Sequence, residues 1–305
     1  MRRNDTMMEF VNICKMSQQK LKQHVADKLL EHYPVENITS GDGYLYAEGT
    51  IPVLLVAHLD TVHKELPRTI LYDNESKIIS SPEGIGGDDR SGVYILLEVL
   101  KEHNCSVLFC EDEEAGAVGA EKFTQTKLAE SLGFHFIIEF DRKGANDAVF
   151  YDCDNPDFES FITREYFKTN WGTFSDISIL APYFGCAAVN LSCGYYNPHT
   201  VNEYVVFPEM QRIIAETCKL LNRTTESDAF EYIEAEKSDW YGFYSDYFPV
   251  EHSNKGSVYW ITYSDANGNT QWYDTHAISE MEAIGIFTVD TDLPYSAIID
   301  IYEDR

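Results

Sequence analysis

Three near-continuous apolar runs, each about the length of one β-strand, most constrain the fold of this chain. They lie at residues 51–57, 106–110 and 134–140. A run without alternation is typical of a strand buried on both faces, as in a parallel sheet covered by helices. Helical patterns at 91–102 and 117–124 separate the runs. Strands that alternate with helices predict an α/β fold with a mostly parallel mixed sheet flanked by helices.

The same pattern continues on both sides of these runs. Apolar residues recur at spacings of three and four between residues 7 and 33, which predicts one long amphipathic helix. A short strand is predicted at 44–48, a further buried strand at 185–191 and a closing helix at 208–221. The predicted α/β unit therefore extends over most of the first two thirds of the chain.

The sequence changes its character after about residue 224. Residues 225–305 contain three of the four tryptophans and many tyrosines and acids, but few lysines or arginines. We therefore predict two domains, a catalytic domain at 1–224 and a small C-terminal unit at 225–305. The role of the second unit is left open between a lid, a partner-binding module and a simple cap.

The C-terminal unit is predicted to be β-rich or α+β. Residues 266–269 are a good hairpin turn signal. The aromatic cluster at 240–248 fits either the core of a small unit or a binding surface. Four strands are predicted in this unit, at 257–262, 270–274, 284–289 and 296–302.

Charge and composition exclude several classes of function. The net charge of −28 argues against nucleic acid or an anionic membrane as partner. The sequence has no run of about 18 apolar residues, so no transmembrane helix is expected. The basic N-terminus is not followed by an apolar segment, so no secretory signal is expected either. The seven cysteines are odd in number and show no CxxC spacing, which predicts reduced thiols in a cytoplasmic protein. The oligomeric state is not predicted.

Side chains that commonly bind metal ions follow the carboxyl ends of the predicted strands. His58 follows the first run, Glu113 the second and Asp141 the third. Open α/β sheets bind their ligands at this edge. The agreement between strand ends and ligand-type residues predicts that these side chains meet at one site.

Two short motifs near the N-terminal end of this set each have more than one interpretation. His58 and Asp60 leave the same side of an extended segment, so the imidazole could bind metal while Asp60 accepts its other N–H. The glycines at 86–92 allow a turn that aims Asp88 into a cleft. An acid pair such as Asp88 and Asp89 could instead cap the helix that follows.

Adjacent glutamates supply the remaining chemistry that a two-metal hydrolase needs. One carboxylate binds a metal, and a second one takes a proton from the attacking water. Glu113 and Glu114 could fill these roles, although the acidic run 111–114 alone also fits a solvated surface loop. His199 in a loop is likewise a surface residue when considered alone. Together, the clusters could hold two zinc ions and still provide a general base.

The ordered set of motifs resembles the co-catalytic di-zinc exopeptidases of clan MH. These include peptidase T, the glutamate carboxypeptidases, the aminoacylases and the bacterial leucyl aminopeptidases. The resemblance covers about residues 8–222 and implies their zinc-exopeptidase, phosphorylase/hydrolase-like fold. Four segments carry it: His58-Leu59-Asp60-Thr61-Val62, Gly87-Asp88-Asp89-Arg90-Ser91-Gly92, Asp112-Glu113-Glu114-Ala115-Gly116 and Asn197-Pro198-His199-Thr200-Val201-Asn202-Glu203.

The resemblance implies a role for each matching side chain. Five would hold two zinc ions: His58 and Asp141 one ion, Glu114 and His199 the other, with Asp88 bridging both. Asp60 would support His58, and Glu113 would be the general base. Cobalt or manganese could replace zinc, because carboxylate-rich sites accept several divalent ions.

The chain departs from the carboxypeptidase and aminoacylase branch of this family. That branch inserts a lid or dimerisation domain between the fourth and fifth ligands, whereas fewer than 60 residues separate Asp141 from His199. The carboxylate-binding arginine of the lid is therefore missing, and Arg142 and Arg164 are either substitutes or surface residues. Asp176 lies where relatives carry a Thr-Asp or Ser-Asp near the pocket, and is either a substrate residue or a helix N-cap.

These observations favour one function over two alternatives. We predict a di-zinc exopeptidase, and specifically an aminopeptidase that acts on short peptides. The first alternative is an amidohydrolase of N-acyl amino acids, or a carboxypeptidase, with the same metals. The second is a non-catalytic binding protein that acts through its C-terminal unit. The complete set of ligand candidates together with Glu113 argues against the last.

Overall fold

The chain separates into two compact units, Met1–Glu234 and Ala235–Arg305. Residues up to 234 join the first unit because Phe230 pairs its backbone with His135 and Ala187 and packs its ring against Phe136. The division therefore lies beyond the predicted boundary at 224, while the separate roles of the two parts stay predictions. The computed structural model describes residues 3–172, 174–235, 257–264, 270–277, 283–284, 286–287, 291, 293 and 297–304.

Helices and strands alternate along the first unit. Its α-helices are α1 (Arg3–Cys14), α2 (Gln18–Leu29), α3 (Gly87–Val99), α4 (Val118–Thr124), α5 (Pro156–Thr163), α6 (Ile177–Phe184) and α7 (Phe207–Arg223), with short 3-10 turns at Val35–Asn37 and Ala129–Ser131. Its strands are β1 (Ile38–Gly41), β2 (Tyr44–Ala47), β3 (Ile51–His58), β4 (Leu71–Tyr72), β5 (Ile78–Ser80), β6 (Cys105–Cys110), β7 (Phe136–Arg142), β8 (Asp147–Val149), β9 (Lys168–Asn170), β10 (Ala188–Ser192), β11 (Tyr195–Tyr196) and β12 (Tyr204–Val206).

An eight-stranded sheet forms the centre of the first unit, in the order β1-β2-β6-β3-β7-β10-β8-β9. The four central strands β6, β3, β7 and β10 are parallel, and so is the edge pair β8 and β9. The pairs β1–β2, β2–β6 and β10–β8 are antiparallel. The sheet confirms the predicted α/β fold with a mostly parallel mixed sheet.

Alternate residues of the central strands enter two separate hydrophobic clusters. In β3, Val53, Leu55 and Ala57 pack with α1, α2, α3, α5 and α7 on one face. Leu54 and Val56 pack with α4 and α6 on the opposite face. Because both faces are covered, the strand needs apolar side chains at every position, which explains the unbroken apolar run.

The register of the parallel strands brings the predicted site residues to one edge. His58 pairs with Cys110, so β3 and β6 end together. Val56 pairs with Glu139, which places His58 level with Asp141 two residues later. The strand ends therefore lie side by side, as expected for parallel neighbours.

A smaller sheet carries the last histidine motif. Its strands follow the order β11-β12-β5-β4, and β11 pairs antiparallel with β12. These two strands flank the loop 197–203, which contains His199. A Cβ on Gly87 would lie 2.8 Å from Tyr195 and 2.9 Å from Val205, so the hairpin packs directly on the turn at the start of α3.

The predicted long helix at 7–33 is wrong in one respect, because two helices occupy this segment. α1 ends at Cys14 and α2 begins at Gln18. The Ser17 side chain accepts a hydrogen bond from the Lys20 N–H and caps α2. The apolar spacing alone did not reveal the break, since Ser17 acts through a cap rather than through periodicity.

The described part of the C-terminal unit contains a three-stranded antiparallel sheet. Its strands β13 (Ser257–Ser264), β14 (Thr270–Ala277) and β15 (Ile298–Asp304) follow the order β14-β13-β15. The predicted strand at 284–289 is wrong for its described residues, because residues 284, 286 and 287 are helical. The predicted turn at 266–269 and the aromatic cluster at 240–248 lie outside the described residues.

All seven cysteines are buried and free of disulfide bonds. None of the helices in the described part of the chain combines the length and apolar character needed to span a bilayer.

Gly92 is expected to be indispensable for the packing of α3 on β7. A Cβ at this position would lie 2.0 Å from the Phe140 carbonyl oxygen and 2.4 Å from both carboxylate oxygens of Asp89. Backbone cannot move aside cheaply, so Gly92→Ala should lower the free energy of unfolding by about 1–3 kcal/mol. Urea titration measures the change.

The matched control is Gly133→Ala, because a Cβ there meets no atom of the described structure within 4 Å. A surface change of this kind alters stability by less than about 0.5 kcal/mol. Equal urea midpoints for Gly92→Ala and Gly133→Ala would contradict the proposed steric role of Gly92.

Candidate metal centre

His58, the last residue of β3, is held in place by Asp60. The imidazole is 1% exposed, and its Nδ1 lies 3.0 Å from Asp60 Oδ1. Asp60 also accepts the backbone N–H groups of Glu113 and Glu114, at 3.0 and 3.1 Å. One carboxylate therefore orients the histidine ring and fixes the acidic loop that follows β6.

The turn at the start of α3 aims Asp88 at two histidines. Gly86 adopts a φ of 65°, in the left-handed region that glycine tolerates, and the Asp88–Asp89 peptide bond is cis. Asp88 Oδ1 lies 3.1 Å from His58 Nε2, and Oδ2 lies 3.2 Å from His199 Nε2. The two oxygens of one carboxylate thus face two different imidazoles.

The two adjacent aspartates at this turn, Asp88 and Asp89, make different contacts. Asp89 accepts hydrogen bonds from the backbone N–H groups of Gly92 at 2.8 Å and His58 at 3.2 Å. It thereby satisfies the first turn of α3 and joins it to β3. Asp88 makes no such capping bond and faces His58 and His199, so the capping alternative applies to Asp89 alone.

Glu114 and Asp141 complete the two groups of ligand-type atoms. Glu114 Oε2 lies 3.3 Å from His199 Nε2, and Asp141 Oδ1 lies 3.4 Å from His58 Nε2. The Ser175 hydroxyl donates to Asp141 Oδ2 at 2.9 Å, and the Tyr195 hydroxyl donates to Oδ1 at 3.3 Å. The predicted ligands therefore form two neighbouring clusters that share Asp88.

The distances within each cluster fit a zinc ion. In a tetrahedral site with bonds of about 2.1 Å, neighbouring ligand atoms lie about 3.4 Å apart. The separations of 3.1–3.4 Å among these imidazole and carboxylate atoms agree with this value. Nitrogen and carboxylate oxygen donors are also the ones that zinc takes. The residues present thus fit two metal ions that share Asp88.

The site concentrates negative charge in a buried place. Burial and the charge of Asp88 raise the pKa of Asp141 to about 6. Burial also raises the pKa of Glu113 well above the usual range of a carboxyl group; His58 opposes this, and Asp141 and Asp176 add to it. Although burial alone would lower the pKa of His199, contacts with Asp88 and Glu114 raise it to about 12. Such a cluster strongly favours cations.

Asp176, the candidate substrate residue, is fully buried at the start of α6. It is 0% exposed, and its side chain makes no capping hydrogen bond. Burial raises its pKa to about 7; His58 opposes the rise and Asp141 adds to it. Asp176 thus occupies the N-cap position of α6, but its side chain does not cap the helix. Its use as a substrate residue stays a prediction.

Several side chains of the site escaped the sequence-based prediction. Glu203 belongs to the last motif and Ser175 precedes Asp176, yet the sequence predicts no role for either. Arg90 is buried and donates to the carbonyl oxygens of Leu59 and Asp60. The available signal was a charged residue without a role inside a ligand motif, which applies to Glu203 and to Arg90.

Glu203 holds the turn that carries Asp88. Its carboxylate is 0% exposed and accepts the backbone N–H groups of Gly86 at 2.8 Å and Asp88 at 2.9 Å. His63 Nε2 lies 2.9 Å from the same carboxylate. Both oxygens of Glu203 are therefore used to fix the backbone on which the shared ligand is mounted.

Glu203→Gln is expected to weaken metal binding without removing a ligand. The amide keeps one acceptor oxygen but turns an NH₂ group toward a backbone donor, so the Asp88 turn loosens. Changes to such supporting partners lower metal affinity by about 10–100-fold. Competition with a chromophoric chelator measures the affinity. Glu209→Gln serves as a control, because Glu209 bonds only to the Tyr196 hydroxyl among the described contacts; equal affinities for both variants would refute the role.

One known protein matches part of this chain in sequence. A probable carboxypeptidase of Emericella nidulans is 36% identical over 104 residues, which is 30% of this chain and 24% of the carboxypeptidase. The matched part thus spans about a quarter of that relative's length.

Crystal structures of two peptidases share the fold. Aminopeptidase PepT from Bacillus cereus ATCC 10987 superposes with a TM-score of 0.58 at 13% identity, covering 72% of this chain and 98% of that chain. A tripeptidase from Staphylococcus aureus subsp. aureus Mu50 gives 0.55 at 13% identity, with 72% and 98% covered. At this identity the likeness concerns the fold alone.

A sequence family covers the larger part of the site. Residues 45–178 match the sequence model of Peptidase family M28. This range ends before His199 and includes the other predicted ligands and the predicted base, namely His58, Asp88, Glu113, Glu114 and Asp141. Residues 45–178 are therefore similar to Peptidase family M28.

Proposed function

We propose that this protein is a two-zinc aminopeptidase that removes single N-terminal residues from short peptides. The observation that carries the proposal is the position of Asp88, whose two carboxylate oxygens lie 3.1 and 3.2 Å from the Nε2 atoms of His58 and His199. A carboxylate shared in this way is the bridging ligand that two-metal hydrolases use. Peptidase family M28, matched by residues 45–178, supports the same chemistry.

Each side chain of the proposed site has a task. His58 and Asp141 would hold one zinc ion, Glu114 and His199 the other, and Asp88 both. When bound, the two ions polarise the scissile carbonyl and make the attacking water more acidic.

Glu113 is proposed as the base that moves the proton. It would accept a proton from the attacking water and deliver it to the leaving amine nitrogen, while the carbonyl C–O bond forms and the C–N bond breaks. Asp60 holds the backbone N–H of Glu113 at 3.0 Å, which keeps the base at a fixed position. Burial among carboxylates raises the pKa of Glu113 and so favours its holding the proton between the two transfers.

Charge around the site favours a substrate with a free amino terminus. The net charge of the chain is −28, and a free α-ammonium group complements it. Arg142, the candidate for binding a substrate carboxylate, lies with its Nε 3.6 Å from Asp147 Oδ2. Asp147 is thus an ion-pair neighbour of Arg142, although the Arg142 Nε makes no hydrogen bond among the described residues. Arg164 is the C-cap residue of α5.

The alternative is cleavage from the carboxyl end or removal of an N-acyl group with the same metals. The probable carboxypeptidase that is 36% identical over 104 residues favours this alternative. It needs a partner for the substrate carboxylate, which the contact between Arg142 and Asp147 makes less available.

One experiment separates these functions. Zinc-loaded protein is incubated with a pool of short peptides in free-amine, N-acetylated and C-amidated forms, and mass spectrometry identifies the products. Loss of single N-terminal residues from free-amine and C-amidated peptides, but not from acetylated ones, is the expected result. Cleavage of acetylated peptides, or of the C-terminal residue, would replace aminopeptidase by the alternative. No cleavage by a zinc-loaded protein would refute both.

A further inference from the structure

A second group of metal-binding side chains lies where α3 ends. Glu102 and His103 follow this helix, and Cys218 belongs to α7. One ligand-type atom from each of the three residues lies within 4.8 Å of the other two. His103 is 7% exposed and Cys218 is 8% exposed, whereas Glu102 is open to solvent. His103 and Cys218 therefore form the buried part of the cluster, and Glu102 forms the part that solvent can reach.

His103 has an unused ring nitrogen. Its Nε2 atom is buried, and it has no hydrogen-bond partner among the described residues. A buried polar atom is normally paired, because an unpaired one has lost its contact with water without replacement. A cation bound by the ring would provide the missing partner.

The three donors differ in type and suit a thiophilic divalent cation. Thiolate and imidazole are the ligands preferred by zinc and cobalt, and a carboxylate adds an oxygen donor. Metals bind cysteine as the thiolate and histidine as the neutral imidazole, so binding of the ion releases the thiol proton.

This cluster is separate from the centre around Asp88. Asp88 lies at the first turn of α3, while Glu102 and His103 follow its last turn. A helix of 13 residues spans roughly 20 Å. None of the ligands predicted for the catalytic ions belongs to the second cluster, and no cysteine is among them.

We propose that Glu102, His103 and Cys218 form an additional site for one zinc ion or a similar thiophilic divalent cation. Bound there, the ion would join the C-terminal end of α3 to α7, two helices that pack on the same face of the sheet. The site would be structural, because it lies at the opposite end of α3 from the catalytic centre. This inference does not depend on the proposed peptidase activity.

Cobalt provides a probe that reports on the new site alone. The full chain is dialysed against a chelator and titrated with Co²⁺, and the near-ultraviolet sulfur-to-cobalt charge-transfer band is recorded. The centre around Asp88 has only imidazole and carboxylate ligands, so cobalt there gives no such band. The expected result is a band that saturates at one thiolate-bound cobalt per chain.

Three variants test the assignment. Cys218→Ser should abolish the band, Glu102→Gln at the exposed side should weaken the cobalt affinity by about 10-fold or more, and Cys153→Ser should leave the band unchanged. Cys153 is the matched control because it is also buried and free. Circular dichroism verifies that each variant is folded.

Two outcomes would overturn the proposal. The first is a wild-type titration without a sulfur-to-cobalt band. The second is a band that persists in folded Cys218→Ser, because the thiolate would then come from another cysteine. A band in a protein that cleaves no peptide would support the additional site and count against the proposed function, so the two failures are distinguishable.

Discussion

Glu113→Gln is expected to lower kcat by about 10²–10⁴-fold, the usual contribution of a general base, while both metal ions stay bound. The amide keeps the size of the side chain and its place in the loop, but it cannot accept the proton of the attacking water. No ligand is lost, because Glu114 and not Glu113 approaches His199. Steady-state peptide hydrolysis and metal content are measured on the same preparation.

Asp112→Asn is the matched control for this variant. It removes one negative charge from the same loop, and asparagine tolerates the positive φ of 60° at this position. The amide oxygen can still accept the hydrogen bond that Gln18 donates to Asp112. A Glu113→Gln protein that keeps its zinc and more than a tenth of the wild-type kcat would exclude Glu113 as the base.

Asp88→Asn is expected to abolish activity and to remove both metal ions. The amide presents one oxygen and one NH₂ group, so it cannot serve two cations. The remaining carboxylates and imidazoles would then hold each ion with one ligand fewer. We expect the affinity for both ions to fall by more than about 100-fold, beyond the effect of losing a supporting residue. Elemental analysis after dialysis measures the metal content.

Asp141→Asn is the comparison for Asp88→Asn, because Asp141 is proposed to bind one ion and Asp88 both. Of the two ligand histidines, the described contacts of Asp141 include His58, at 3.4 Å, and not His199. This variant should therefore lose the ion at His58 and keep the ion at His199. If Asp88→Asn retained one ion per chain while Asp141→Asn lost two, the assignment of the bridge to Asp88 would be wrong.

Local patterns in the sequence predicted the architecture of the first unit well. The apolar runs became β3, β6 and β7, because a strand covered on both faces needs apolar residues at every position. The residues after these strands converge because parallel neighbours end at one edge of the sheet. The same patterns predicted one helix at 7–33, where the Ser17 cap starts a second helix. They also predicted a strand at 284–289, where the described residues are helical because tertiary context outweighs the spacing of apolar residues.

The sequence by itself determined which ligand-type residues follow the strands, namely His58, Glu113 and Asp141. The resemblance of its motifs added Asp88, Glu114 and His199 to the candidates. Only the tertiary structure decided how they are paired and supported. Glu203 reaches the backbone of Asp88 across 115 positions of sequence, and Asp60 reaches the loop of Glu113 across 53. Such contacts leave no periodic pattern in a chain, because hydrogen bonds depend on where the folded backbone places two atoms and not on the residues between them.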